Sequence, residues 1–102
     1  MKKIINGKMY DTETAEVKGE YTSRYSVSDF KYFKEILYQK KTGEFFLYGE
    51  GGGLSPYKEV VEDHGATYGE KIILLSEDEA KKWAEEKISV DEYIDLFGEV
   101  EE

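Results

Sequence analysis

Two short stretches constrain the fold more than any other feature of the sequence: Ser76-Glu77-Asp78-Glu79 and Ser89-Val90-Asp91-Glu92. In each, a serine stands three residues before a glutamate. This is the capping-box arrangement, in which the hydroxyl accepts from the amide of the third helical residue and the glutamate reaches back to the serine amide. After Ser76, the apolar positions Ala80, Trp83 and Ala84 recur at helical spacing, and the aliphatic stem of Lys87 extends the stripe. After Ser89, Val90, Tyr93, Ile94 and Phe97 occupy i, i+3, i+4 and i+7, and Gly98 is the expected stop. The chain therefore ends in two short amphipathic helices, each needing a surface to cover its stripe while its acidic side faces water.

The remaining chain supplies that surface as strands. Lys2–Ile5 and Lys8–Tyr10 flank Asn6-Gly7, a dipeptide that accepts the positive φ angles of a two-residue turn, so a β-hairpin is expected. Asp11 stands as an N-cap before Thr12–Val17, with Glu13 in the first turn and Gly19 beyond, which reads as a short helix. Glu20–Tyr25 reads as a strand. Tyr32–Lys41 and Glu44–Gly49, joined through Thr42-Gly43, read as an antiparallel pair, because the second segment is rich in strand formers. From Gly49 to about Gly69 the chain reads as a polar connection, with a helical turn over Pro56–Glu62 that turns Tyr57, Val60 and Val61 inward. Glu70–Leu75 reads as a short buried strand. The fold class expected is α+β: an N-terminal β-hairpin and an antiparallel sheet with two C-terminal helices packed on it, in one domain spanning 1–102.

Charge then narrows the function. The chain carries a net −9, unevenly spread. Residues 1–48 hold nine Lys/Arg against seven Asp/Glu, a net of +2, whereas residues 49–102 hold five Lys against sixteen Asp/Glu, a net of −11. Such a field repels free nucleic acid and favours basic partners, including proteins that hold nucleic acid. The chain has no cysteine, hence no disulfide framework and no thiolate zinc site. No segment approaches membrane-spanning length and Met1–Gly7 lacks the apolar run of a secretion signal, so a cytoplasmic location, in a bacterial host cell, is expected.

Catalytic and metal-binding constellations are weak. The single histidine, His64, lies in Glu62-Asp63-His64-Gly65 with no nucleophile motif beside it, and consecutive residues do not converge easily on one ion. Gly49-Glu50-Gly51-Gly52-Gly53 lacks the Gly-Lys-Ser/Thr ending of a phosphate loop and reads as a loop with positive φ angles. Arg24-Tyr25 and Lys31-Tyr32-Phe33-Lys34 invite a base-stacking platform, but the same spacing describes a sheet with aromatic residues on one face and lysines on the other. No cofactor, metal or catalytic residue is expected. The chain reads as a binder of another macromolecule.

The wording of the chain adds to this. Lys3-Ile4-Ile5-Asn6-Gly7-Lys8-Met9-Tyr10-Asp11-Thr12-Glu13-Thr14-Ala15, Leu37–Gly52 with Lys40-Lys41-Thr42-Gly43-Glu44-Phe45-Phe46-Leu47-Tyr48-Gly49 at its centre, and Gly69-Glu70-Lys71-Ile72-Ile73 leading into Leu75–Trp83 resemble small proteins carried on phages and mobile elements of Gram-positive bacteria. Some members of that group look like type II-A anti-CRISPR proteins. The resemblance implies a protein that inhibits the type II CRISPR effector nuclease by binding it or its guide-RNA complex, blocking guide-RNA or DNA engagement. It carries over no site residue. Electrostatics alone selects Glu85, Glu86, Asp91, Glu92 and Asp95, on the exterior of the two helices, as the contact to basic side chains. Two other readings stay open: a small ribonuclease acting on guide RNA through His64 and nearby carboxylates, and a mobile-element accessory protein with a partner unrelated to CRISPR.

Overall fold

The computed structural model describes residues 1–102. Its centre is a four-stranded antiparallel sheet in the order β3 (Glu16–Thr22), β4 (Phe33–Gln39), β5 (Phe45–Gly51) and β8 (Gly69–Leu75). Before it comes the hairpin β1 (Lys2–Ile5) and β2 (Lys8–Asp11), with Asn6 at φ 52° and Gly7 at φ 79°, the left-handed pair that this turn requires. Between β5 and β8 the chain makes a second hairpin, β6 (Glu59–Val61) and β7 (Gly65–Thr67). Helices α1 (Glu77–Lys87) and α2 (Val90–Phe97) follow, both with complete capping boxes, and Gly98 ends α2 at φ 90°. No helix is long and apolar enough to cross a membrane.

Strand alternation sorts the sheet residues onto two covered faces. One face carries Leu37, Phe45 and Leu47 against Ala80, Trp83 and Ala84 of α1, with Tyr93, Leu96 and Phe97 of α2 closing over them. Phe97 lies 5.8 Å from Phe45, centroid to centroid, and 5.1 Å from Tyr93. The other face carries Tyr38, Phe46 and Ile72, covered by Tyr10 and Ile5 of the first hairpin. Tyr38 stacks on Phe46 at 5.1 Å, and Tyr10 meets Phe46 edge-on at 5.6 Å. The molecule is therefore layered: hairpin, sheet, helices.

Several expected elements differ. Thr12–Val17 is not a helix. The Asp11 carboxylate does accept from the Glu13 amide (2.9 Å), but it closes only a turn, and β3 begins at Glu16. The reason lies further along the chain. Val17 pairs with Tyr38, a bulge follows, and Gly19 lies beneath Trp83 and Ile88, where an added Cβ would come within 3.2 Å of the indole. Gly19 is thus a packing glycine inside a strand, not a helix stop. The strand expected over Glu20–Tyr25 ends at Thr22, where the Ser23 hydroxyl takes over by accepting from the Phe33 amide (3.1 Å). The helical turn expected over Pro56–Glu62 is replaced by β6, with Val60 and Val61 exposed and only Tyr57 buried. β8 is an edge strand and not a buried one, since Ile73 and Lys71 remain exposed while Ile72 is covered.

The glycine run also departs from expectation. None of Gly49 to Gly53 has a positive φ. These positions lack side chains because other groups occupy the space. The Tyr57 ring lies directly on Gly49, Ser55 and Phe33 crowd Gly51, and the Phe30 carbonyl approaches Gly52. Backbone bonds from Gly52 N to the Tyr32 carbonyl (2.9 Å) and from Leu54 N to the Phe30 carbonyl (2.8 Å) strap the 23–32 loop onto this run.

Candidate partner-binding surface

The acidic exterior is built by the helix caps. Ser76 and Ser89 each accept from the amide three residues on, so Glu77, Asp78 and Glu79, and then Asp91 and Glu92, begin their helices where the amide dipoles favour negative charge. The α1 stripe faces the sheet, as do Tyr93, Leu96 and Phe97 of α2, whereas Val90 and Ile94, expected in the α2 stripe, do not; the carboxylates are left outside. Glu85, Glu86, Asp91, Glu92 and Asp95 are all exposed, and none forms an ion pair; Glu77 alone in the two helices has a lysine partner, Lys81 at 3.8 Å. The structure divides the five. Glu92 and Asp95 line one shallow groove with Glu16 and Lys18 of the β3 edge. Glu85 lines another, on the outer side of the helix pair. Glu92 is the least free of the set, because its carboxylate accepts from the Ser89 amide (3.3 Å) and hydroxyl (2.9 Å).

The groove beside Glu85 has a volume of about 290 Å³ and is lined by Ile88, Val90, Tyr93, Ile94 and Val100. Val90 was expected in the buried stripe of α2, yet it is 72% exposed. It is the first residue of the helix, and α2 meets the core through Tyr93 at its middle and Leu96 and Phe97 at its other end. α2 has no fully buried residue. The outer side of the helix pair therefore joins exposed apolar side chains to unpaired carboxylates.

Five lysines gather on the opposite side of the sheet, although Lys81, Lys82 and Lys87 share the helix layer with the carboxylates. The first hairpin carries Lys2, Lys3 and Lys8, with Lys40 and Lys41 at its foot. Lys2 pairs with Asp11 (3.8 Å), while Lys8 and Lys40 converge on Glu44 (3.4 and 3.6 Å). Burial alone would raise the Glu44 pKa, but the Thr42 and Lys8 hydrogen bonds and the two lysine charges outweigh it and hold the group below the usual carboxylate value. Burial first, then the Glu44 charge, pushes the Tyr10 hydroxyl up. This corner borders the largest cleft, about 690 Å³, between the hairpin and the helix ends.

Two further carboxylate clusters are internally satisfied. Glu35, half-buried on the helix side of β4, accepts from the Trp83 indole (3.0 Å) and from the Tyr57 hydroxyl. Burial and then Glu35 drive the Tyr57 pKa far above that of a free tyrosine. On the other face, Glu50 and Glu70 are cross-strand neighbours that would repel; Tyr48 donates to Glu70 (2.6 Å), Tyr68 donates to Glu50, and Lys34 pairs with Glu50 at 3.4 Å.

The remaining sequence candidates separate. His64 is exposed in the tight turn between β6 and β7, next to Asp63 at φ 66° and Gly65 at φ 79°, and its backbone amide closes that turn onto Val61 (3.0 Å). Phe33 and Lys34 do face opposite sides of the sheet, but Arg24, Tyr25 and Lys31 lie in the 23–32 loop outside it. There Arg24 and Lys31 both approach the Tyr25 ring, at 5.6 and 5.8 Å. Sequence reasoning missed what this loop presents: Val27 and Phe30 are 78% and 71% exposed, and Leu54, strapped beside Phe30, is 65% exposed. The only signal was an aromatic and an aliphatic residue among serines, without periodicity. Compared with protein-family models, curated proteins and solved structures, the chain matches none.

Proposed function

We propose that the chain is an inhibitor protein that binds the type II CRISPR effector nuclease, or its guide-RNA complex, and blocks guide-RNA or DNA engagement without catalysing a reaction. The observation that carries this reading is the helix layer. Five exposed carboxylates without an ion-pair partner, Glu85, Glu86, Asp91, Glu92 and Asp95, stand on the two helices, while most lysines of the first half lie across the sheet. A surface of that sign matches a basic nucleic-acid channel and competes with phosphate for it. The sequence resemblance to mobile-element proteins supplies the choice of partner.

In-vitro DNA cleavage by the effector tests the proposal, with the protein added before or after guide loading and the guide run on a denaturing gel. Inhibition with an intact guide is the expected result, and dependence on order of addition locates the blocked step. A shortened guide would replace the binder with a ribonuclease. No inhibition across several effector orthologs would overturn the proposal and return the chain to an unrelated mobile-element partner.

A further inference from the structure

The 23–32 loop holds apolar side chains out in water on a rigid frame. Its ends are tied by the Ser23 amide to the Phe33 carbonyl (2.9 Å) and by the Phe33 amide to the Ser23 hydroxyl, and its middle by the Tyr32 amide to the Asp29 carbonyl (3.0 Å). The Asp29 carboxylate accepts from the Lys31 amide at 2.8 Å, and the glycine run straps the loop from behind. The loop is thus ordered before any contact is made, which lowers the entropy cost of using it. Phe30 and Leu54, held side by side by the Leu54 amide on the Phe30 carbonyl, and Val27 of the same loop all project into water as an apolar prong. Around it stand Tyr25 and two cations, Lys31 and Arg24, the single arginine of the chain, neither of which has an acidic partner. Arginine and aromatic residues around an apolar centre are the composition of interface hot spots.

The same molecule carries the inverse surface. The outer groove of α1 and α2 is concave and lined by Ile88, Val90, Tyr93, Ile94 and Val100, with Glu85 in its wall and Glu86 next to it. One surface projects and is apolar and positively collared; the other is concave, apolar and negatively edged. Two copies that each carry −9 repel over most of their surfaces, so an approach that sets the positive collar of one on the negative groove of the other is the electrostatically favoured encounter. We propose that Phe30, Val27 and Leu54 of one copy dock into the α1–α2 groove of a second copy. The two patches differ, so the contact is head-to-tail, and each added copy leaves a free prong and a free groove at the ends. This inference does not depend on the proposed function.

The test uses the full chain in two variants, each altered at an exposed residue: Phe30→Glu, which removes the prong, and Val90→Glu, which blocks the groove while placing a carboxylate in the first turn of α2, where it suits the helix. Circular dichroism melts confirm that each variant folds. In sedimentation equilibrium the wild-type average mass is expected to rise with concentration above the 11.8 kDa of one chain. Each variant alone should associate more weakly by about tenfold or more. An equimolar mixture should form a 1:1 pair that does not grow, because only one intact prong and one intact groove face each other. A wild-type chain that stays monomeric up to about 1 mM, or a mixture that stays monomeric, overturns the proposal. Association lost in Phe30→Glu but kept in Val90→Glu also overturns it, by sending the prong to another site.

Discussion

At the scale of single residues, Glu35 links the layers. It stands on β4, yet its carboxylate receives the Trp83 indole from α1 and the Tyr57 hydroxyl from the 52–58 segment. Glu35→Ala leaves both donors without an acceptor in a partly buried site, so a loss of about 2–4 kcal/mol is expected in urea unfolding, with Glu35→Gln milder. Tyr57 adds a pH dependence. Its folded-state pKa, raised by burial and then by Glu35, lies above the ordinary 10.0. Its contribution is therefore complete below pH 10 and is lost as pH rises toward the folded-state value. Urea midpoints followed from about pH 9 to 11.5 should fall for the wild type and fall less for Tyr57→Phe. None of this network was legible in the sequence, since Glu35, Tyr57 and Trp83 are far apart along the chain and their meeting depends on strand register. The glycine run shows the same limit: flexibility is a local property of Gly49, whereas the ring that occupies its missing side chain comes from Tyr57.

At the scale of elements, the caps decide how the helices hold. α1 buries Ala80, Trp83 and Ala84, but α2 has eight residues and no fully buried side chain. Removal of a capping hydroxyl costs roughly 1 kcal/mol in either helix. Ser89→Ala should therefore raise amide exchange throughout α2, while Ser76→Ala should leave the buried part of α1 protected; equal protection of both helices in both variants would contradict this ordering. Glu79, held below its usual pKa first by the Ser76 backbone hydrogen bond, makes the α1 cap weaken as pH falls below the ordinary value of 4.5 toward the lower folded-state value. Both helices and the turns at Asn6-Gly7 and Thr42-Gly43 were legible because each signal lies within four residues. Thr12–Val17 and Pro56–Glu62 were not, because β-branched residues there follow the strands they pair with, and pairing is long-range.

At the scale of the whole molecule, the sheet separates charge, and the proposed activity depends on that separation. Neutralising Glu85, Glu86 and Asp95 together to their amides should weaken effector binding by about tenfold and flatten its salt dependence, without lowering the melting temperature; Asp91 is kept because it stands in the first turn of α2, where the helix dipole favours its charge. Glu92 is left out of that set because it serves the Ser89 cap. Binding that is indifferent to both salt and substitution would remove the electrostatic basis of the proposal. By itself the sequence determined the turns at Asn6-Gly7 and Thr42-Gly43, the two helix starts and the acidity of the second half, because these follow from chemistry between near neighbours and from a sum over residues. Only the tertiary structure decided which side each charge faces, why Gly19 and Gly49 have no side chain, and that Phe30, Leu54 and Val90 stand in water. Those outcomes depend on which surface another segment has already covered, and near neighbours carry no information about that.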